Sequence, residues 1–167
     1  MDISKAFQLA EGGSFKKALL DRFLWRYIPF NRPHRLSIAE LKPGFAKVFL
    51  PYRKNNLNHL KGLHACSLAT LAEYTSGLAI ISCTGKEFRI IMRSLNVVYE
   101  KQGRSDAFAV FRISANEIQK KVQDSAISGE PIWIHAEVPV MDSSGELLCT
   151  ALVEWQLKHW DKVRKAN

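Results

Sequence analysis

The chain has 167 residues, of which 47% are apolar and 24% charged, a composition that suits one globular domain with its own core and leaves no room for a second domain. We expect no bilayer-spanning apolar run and no signal peptide, and therefore a cytoplasmic protein. Three cysteines without a C-x-x-C pair indicate neither a disulfide framework nor a zinc knuckle, and their simplest role is as small buried apolar residues: Cys66, Cys83 and Cys149.

The formal net charge of +8 is concentrated in the first part of the chain. Residues 1–61 hold twelve Lys/Arg against four Asp/Glu, whereas residues 62–167 hold twelve of each. Such a surface favours an anion, and a phosphorylated small molecule or an anionic membrane would fit as well as nucleic acid. Because no run of five or six basic residues and no nucleic-acid-binding motif is present, we do not expect nucleic acid as a partner. A merely solvated basic surface is the alternative to any ligand role.

The first predicted helix covers residues 15–28, with Ser14 as its cap and Pro29 as its end. Basic residues surround an apolar stripe at helical spacing, which consists of Phe15, Leu19, Phe23 and Tyr27. A basic amphipathic helix could lie on a membrane. We expect this stripe to pack on the protein's own domain instead, so that the helix makes no membrane contact.

The following elements are predicted in chain order. Residues 35–41 and 45–52 read as a β-hairpin around a Lys-Pro-Gly turn, and residues 55–61 read as a loop. A helix of about residues 62–82 is apolar on nearly every side. Residues 114–128 indicate a short helix or an irregular excursion, and a hairpin turn is expected at 142–145. Long β-type segments make up the remainder: 88–101, 106–114, 131–141 and 147–160.

These elements predict a sheet that curls around one helix. A helix without a polar face must be covered on most sides, and an antiparallel meander whose strands each have one apolar face can cover it. The alternation is clearest in the last two strands. Close approach of helix and sheet is favoured by a stripe of small residues along the helix: Ala65, Ala69, Ala72, Ser76 and Ala79.

The start of this helix carries the residues that indicate a function. Residues 58–74 read NHLKGLHACSLATLAEY, a polar entry followed by an apolar run that contains one carboxylate. Together with the architecture, the stretch resembles the hotdog acyl-CoA thioesterases of the PaaI and DUF4442-like group. Their pattern is an Asn, a short loop, His-Gly-Gly at the helix start and an acidic residue eight positions beyond the first glycine. The matching positions are Asn58, His64 and Glu73, with Ala65 and Cys66 in place of the two glycines.

The resemblance implies both a fold and an activity. The fold would be an α+β hotdog fold, a curved antiparallel β-sheet wrapped around a long central helix. Residues 1–167 would form a single domain, with a hotdog core at 35–160 and an extra N-terminal amphipathic helical extension at 1–30. The activity would be hydrolysis of an acyl-CoA or acyl-carrier thioester, with coenzyme A only as part of the substrate and no other cofactor.

The resemblance also implies roles for the motif residues. The backbone N–H of Ala65, at the positive end of the helix, would hold the thioester carbonyl as it becomes tetrahedral. Glu73 would attack the carbonyl carbon or activate a water, and an apolar environment would raise its pKa and its basicity. Asn58 would position the thioester or the water, and His64 would shape the turn more than it transfers protons.

Further positions are candidates for substrate binding. Some family members hold the water with a Ser or Thr on the strand after the helix. Met92 takes that place here, and we expect Ser94 on the same strand face to be the nearest substitute. Arg53, Lys54 and Lys61 flank the loop and could meet the phosphates of coenzyme A.

The spacing of the motif predicts an oligomer. Ala65 and Glu73 are eight residues apart, which corresponds to about 12 Å along a helix, too far for both to touch one carbonyl. Two antiparallel helices related by a two-fold axis would bring Glu73 of one subunit beside Ala65 of the other. We therefore expect a homodimer with two equivalent sites, or a dimer of dimers.

Other interpretations of the same residues stay open. Glu73 could be an exposed helix glutamate or a buried partner of Arg89 or Arg93. His59, His64 and Glu73 lack the spacing of a metal motif, so no metal is expected. The domain could instead be a non-catalytic acyl-CoA or lipid-binding hotdog module, which Ala65 and Met92 would favour. A hotdog hydratase or dehydratase is a further alternative, although its proline-bearing His loop is missing.

Overall fold

A computed structural model describes residues 14–84 and 86–163, apart from the side chains of Ser14 and Lys16. The predicted cap at Ser14 and the part of the N-terminal extension before that residue lie outside the described residues. The described residues contain three α-helices, α1 (Ser14–Tyr27), α2 (Ala65–Thr84) and α3 (Ala115–Ser128). The strands are β1 (Ser37–Lys42), β2 (Phe45–Leu50), β3 (Phe88–Tyr99), β4 (Ala107–Arg112), β5 (Ile132–Asp142) and β6 (Leu147–His159).

The six strands form one antiparallel sheet around α2 in the order β1-β2-β4-β5-β6-β3. This is the predicted α+β hotdog architecture, but the expected simple meander is wrong because β3 pairs with β6 rather than with β4. The reason lies in residues 100–106, which pass the start of α2: the N–H of Leu63 donates to the carbonyl oxygen of Gly103 at 2.8 Å. The chain thus leaves the sheet at its β3 edge and re-enters it as β4, between β2 and β5.

The inner face of the sheet alternates as predicted. On β5, every second residue from Ile132 to Val140 is buried, and on β6 the same holds from Cys149 to Leu157. Trp155 of β6 reaches α2, where its indole N–H donates to the Ser76 hydroxyl at 3.0 Å. The two elements approach closely at Gly77, where a Cβ atom would lie 3.3 Å from the same indole ring.

Helix α2 is long and apolar enough to cross a bilayer by length and composition alone, contrary to the sequence-based expectation. It lies inside the sheet, however, and its residues 74–80 are all buried. Core helices pass the same test of length and hydropathy.

The sheet covers α2 incompletely near the N-terminal end of the helix, where one stripe at helical spacing is exposed or half-buried: Ala65, Cys66, Ala69, Thr70 and Glu73. The prediction of a buried Cys66 is therefore wrong, because the sheet does not cover this stripe.

Helix α1 packs on the domain with a different face from the one predicted. Leu20 is fully buried and Leu24 packs against the core, whereas Phe15, Leu19 and Tyr27 are 76%, 45% and 75% exposed. Asp21 fastens this face, because its carboxylate accepts the N–H of Ile38 on β1 at 3.0 Å. The apolar stripe at i, i+4 spacing thus points largely to solvent.

Helix α3 replaces the irregular excursion that was the alternative for residues 114–128. The Ser114 side chain caps it by accepting the N–H of Glu117 at 3.4 Å. Gly129 ends it with a φ of 77°, the left-handed conformation that glycine adopts without strain. Ile118 is the buried residue through which the helix packs on the domain.

Candidate functional site

A buried asparagine that the sequence analysis missed fixes the loop before α2. Asn56 is fully buried, and its Nδ2 donates to the carbonyl oxygens of His34 and Pro51 at 3.0 and 2.8 Å. The backbone carbonyl oxygen of Asn56 accepts the N–H of His64 at 2.7 Å. A buried amide with its groups satisfied in this way holds the chain in one conformation. The start of α2 is thereby positioned against the residues that follow α1.

Asn58 organises the loop itself. Its Oδ1 accepts the N–H groups of Leu60 and Gly62 at 2.9 and 3.1 Å, and its backbone N–H donates to the Gly62 carbonyl at 2.8 Å. This is the role of a turn residue, whereas the resemblance implies a contact with the thioester or the water. Any contact with a substrate would have to come from the amide Nδ2.

His64 is the residue before the first turn of α2 and caps it. Its Nδ1 accepts the N–H of Cys66 at 3.1 Å, and its carbonyl accepts the N–H of Ser67 at 2.9 Å. The N–H of Ala65 has no hydrogen-bond partner among residues 14–84 and 86–163. The first turn of α2 therefore presents one free donor at the positive end of the helix dipole.

Tyr99 lies next to this donor and was not singled out from the sequence. Its hydroxyl donates to the Ala65 carbonyl oxygen at 2.9 Å, which ties the end of β3 to the start of α2. Burial of the ring raises the pKa of Tyr99 above its ordinary value. Only the pairing of β3 with β6 brings this position to the inner face, so no local sequence signal could have identified it.

Glu73 carries a carboxylate in a largely apolar setting. Burial raises its pKa from 4.5 to about 7. Within the described residues it forms no ion pair, so the predicted alternative of pairing with Arg89 or Arg93 is not found. Its side chain lies on the incompletely covered stripe of α2, two turns beyond Ala65. The chain therefore holds a poorly solvated carboxylate and a free N–H on the same helix face, about 12 Å apart.

Ser94 does not lie where the sequence analysis expected it. Met92 pairs with Trp155 but Ser94 pairs with Glu154, because a β-bulge at Arg93 shifts the register. Cross-strand partners share a face, so Met92 is on the inner face and Ser94 on the outer one. There Ser94 lines a shallow depression together with His135 and Glu154. The expectation that Ser94 shares a face with Met92 is wrong.

The three loop cations lie near the start of α2. Arg53, Lys54 and Lys61 are all exposed. The hydroxyl of Tyr52 donates to the carbonyl of Lys61, which holds the two ends of the loop together. Lys61 has a φ of 59°, a left-handed conformation that is uncommon for lysine. Among the described residues, no group of three His, Cys, Asp or Glu side chains is arranged to hold a metal ion.

Comparison with known proteins agrees with this architecture. Residues 16–157 match the family described as Domain of unknown function (DUF4442). The chain belongs to the DUF4442 family. A search of curated proteins finds no match.

Solved structures share the fold of this DUF4442 protein. A probable thioesterase from Pseudomonas aeruginosa is 23% identical, with a TM-score of 0.76 over 85% of this chain and 95% of its own. A thioesterase from Haemophilus influenzae is 13% identical, with a TM-score of 0.65 over 81% and 87%. A variant of the phenylacetic acid degradation protein PaaI from Thermus thermophilus is 18% identical, with a TM-score of 0.58 over 78% and 98%. The predicted resemblance to the hotdog thioesterase group is confirmed at the level of family and fold.

Proposed function

We propose that this DUF4442 protein is a thioesterase that hydrolyses an acyl-CoA or acyl-carrier thioester at two sites shared by a homodimer. The observation that carries the proposal is the combination on one incompletely covered helix face: the carboxylate of Glu73 with its raised pKa, and the free N–H of Ala65. A base and an oxyanion donor are the two groups that thioester hydrolysis needs most.

The proposed reaction uses these two groups in turn. Glu73 takes a proton from a water that attacks the thioester carbonyl carbon. The resulting oxyanion is stabilised by the N–H of Ala65 and the dipole of α2. When the tetrahedral intermediate collapses, the C–S bond breaks and the proton passes from Glu73 to the leaving thiolate, so the products are a carboxylic acid and a thiol. A pKa of about 7 suits a carboxylate that must accept and then return a proton near neutral pH.

Two surfaces support the proposed dimer. The exposed stripe of α2 can pack against its copy about a two-fold axis, which would place Glu73 of one subunit beside Ala65 of the other. The neighbouring β3 is an edge strand of 12 residues, and its exposed apolar residues include Met92 and Val98 at 41% and 55% exposure. An edge strand of this length presents unpaired backbone groups that a second copy can satisfy.

Arg53, Lys54 and Lys61 are proposed to contact the phosphates of coenzyme A. All three are exposed and lie in the loop that leads into α2. Asn58 is proposed to reach the thioester or the water through its Nδ2, since its Oδ1 is engaged within the loop. If Lys61→Ala leaves the affinity for coenzyme A unchanged, the phosphate contact is refuted for that residue.

Thiol release from a panel of acyl-CoAs tests the activity, and two variants test the site. Glu73→Gln removes the base, and Ala65→Pro removes only an N–H, because proline is tolerated at the first helical position. We expect each variant alone to lose at least about 100-fold in rate.

Mixing the two variants tests whether the sites are shared. If Glu73 and Ala65 act across subunits, half of the randomly formed dimers contain one intact site, and activity recovers to about a quarter of wild type. Sites formed within one subunit would show no recovery.

The second candidate is a non-catalytic acyl-CoA or lipid-binding module. It is favoured by Met92, which occupies an inner-face position where a hydroxyl would hold the water. Tight binding of acyl-CoA without release of thiol from any member of the panel would establish this alternative and refute hydrolysis.

A further inference from the structure

An arginine-rich cleft lies on the N-terminal part of the protein, where α1 meets the segment that follows it. The cleft has a volume of about 420 Å³. Four of its six lining residues are arginines: Arg22, Trp25, Arg26, Pro29, Arg32 and Arg35. Among the described residues no carboxylate lines the cleft, so it concentrates positive charge that an anion can neutralise.

The charge of the four guanidinium groups is not neutralised within residues 14–84 and 86–163. Within the described residues none of them forms an ion pair with a carboxylate. The acidic residue nearest in sequence, Asp21, is buried and accepts the N–H of Ile38 instead. Unpaired arginines gathered around one cleft present several N–H donors to a phosphate, which guanidinium groups bind in bidentate geometry.

The cleft is held in shape by its tryptophan. The indole N–H of Trp25 donates to the Leu36 carbonyl at 2.8 Å, and the Arg35 guanidinium lies 4.6 Å from the centre of the indole ring. Arg35 itself adopts a φ of 57°, which is uncommon for a residue with a side chain. One wall of the cleft is therefore fixed before any ligand binds.

Exposed apolar side chains lie on the same face of α1 as two of the arginines, and just beyond the helix. Phe15, Leu19, Arg22 and Arg26 follow one another at i, i+4, i+7 and i+11 and form the solvent-facing stripe of α1. Phe15 and Leu19 are 76% and 45% exposed, and Phe30 beyond the helix is 67% exposed. A surface that holds exposed apolar side chains beside arginines can insert the former into the membrane interface while the latter contact lipid phosphates.

We propose that this surface, the α1 stripe together with the arginine cleft, binds an anionic lipid membrane. The arginines would contact lipid phosphates while the phenylalanine and leucine side chains enter the boundary between headgroups and acyl chains. Charge argues against a second copy of the chain as the occupant, because a two-fold contact would place four arginines against four others. Leu19 has no ring on which a nucleic-acid base could stack, which favours lipid over single-stranded nucleic acid.

The test uses the full chain and vesicles at physiological salt. We expect sedimentation with phosphatidylcholine vesicles in which about 40% of the lipid is phosphatidylglycerol. Sedimentation with vesicles of pure phosphatidylcholine should be much weaker. Arg26→Gln/Arg32→Gln should weaken the association constant about 30-fold, since each basic residue at an anionic surface contributes roughly fivefold. Phe15→Ser should weaken it as well, which a purely electrostatic contact would not show.

The matched control is Lys120→Gln/Lys121→Gln, which removes the same charge from α3. It should bind vesicles like wild type, and circular dichroism should show that all variants are folded. Equal loss in the control would mean diffuse adsorption of a basic protein and would overturn the site. The lipid assignment is also overturned if inorganic pyrophosphate or a single-stranded oligonucleotide binds while vesicles do not, or if the arginine variant changes the oligomeric mass instead of vesicle binding.

Discussion

The carboxylate of Glu73 is expected to destabilise the protein in which it acts, and this can be measured. Its pKa rises from 4.5 to about 7 because burial disfavours the charged form. The folded state therefore binds this proton more tightly than the unfolded state does. The stability that the neutral carboxyl contributes is complete below about pH 4.5 and is lost as the pH rises through 7.

Glu73→Gln keeps the shape of the neutral acid but cannot ionise. A pKa change from 4.5 to about 7 corresponds to about 3 kcal/mol in the free energy of unfolding at pH 8. At pH 5, where most of the folded protein still carries the proton, the difference is under about 1 kcal/mol. The variant should therefore be more stable than wild type by about 3 kcal/mol at pH 8 and by less than about 1 kcal/mol at pH 5, while losing thioester hydrolysis.

Urea unfolding, followed by circular dichroism at the two pH values, measures this difference. Glu100→Gln is the matched control, because Glu100 is exposed and its removal should change stability at neither pH. If wild type and Glu73→Gln differ by the same amount at pH 5 and pH 8, the carboxylate is well solvated, and the reasoning that links its burial to its basicity fails.

Three further substitutions test the packing of α2 and of the turn between β1 and β2, each by urea unfolding. Gly44→Ala should cost at least about 2 kcal/mol, because a Cβ there would lie 2.1 Å from the backbone oxygen of Ile113 and the φ of 72° is strained for alanine. Ser76→Ala should cost about 1 to 3 kcal/mol by leaving the buried indole N–H of Trp155 without an acceptor, and Ser76→Thr should recover part of this loss. His64→Ala should cost about 1 kcal/mol through loss of the α2 cap, whereas His64→Asn should restore most of it.

The features that sequence predicted well are those with a local periodic signal. The uniformly apolar composition of α2 predicted a buried helix, and strict alternation predicted the inner faces of β5 and β6. The first hairpin followed from its Pro-Gly turn, since Gly44 supplies the positive φ that the turn requires. Each of these signals lies within a few residues of the structure that it predicts.

The features that sequence missed depend on contacts between distant residues. The pairing of β3 with β6 requires residues 100–106 to pass the start of α2, which no local pattern records. A one-residue bulge at Arg93 was enough to turn Ser94 to the outer face, because side chains alternate along a strand. Asn56 escaped notice because its importance lies in contacts with His34 and Pro51 rather than in a motif.

Helix α1 shows why periodicity alone can select the wrong face. Its i, i+4 stripe is apolar, but the neighbouring face with Leu20 and Leu24 is apolar too, and the hydrogen bond from Ile38 to Asp21 fixes that second face against β1. A carboxylate inside the packed face is tolerated because burial raises the pKa of Asp21 to about 6 and a backbone N–H meets its oxygen. Phe15 and Leu19 of the predicted stripe remained exposed, and both belong to the surface that we propose to contact a membrane.

The exposed stripe of α2 and the α1 surface with its arginine cleft differ in charge. This difference favours a different kind of partner for each surface. The stripe of α2 contains small residues and one carboxylate that is largely neutral below pH 7, so two copies can meet there without strong repulsion. The α1 surface carries four arginines and repels its own copy. Self-association is therefore favoured at the former and an anionic partner at the latter.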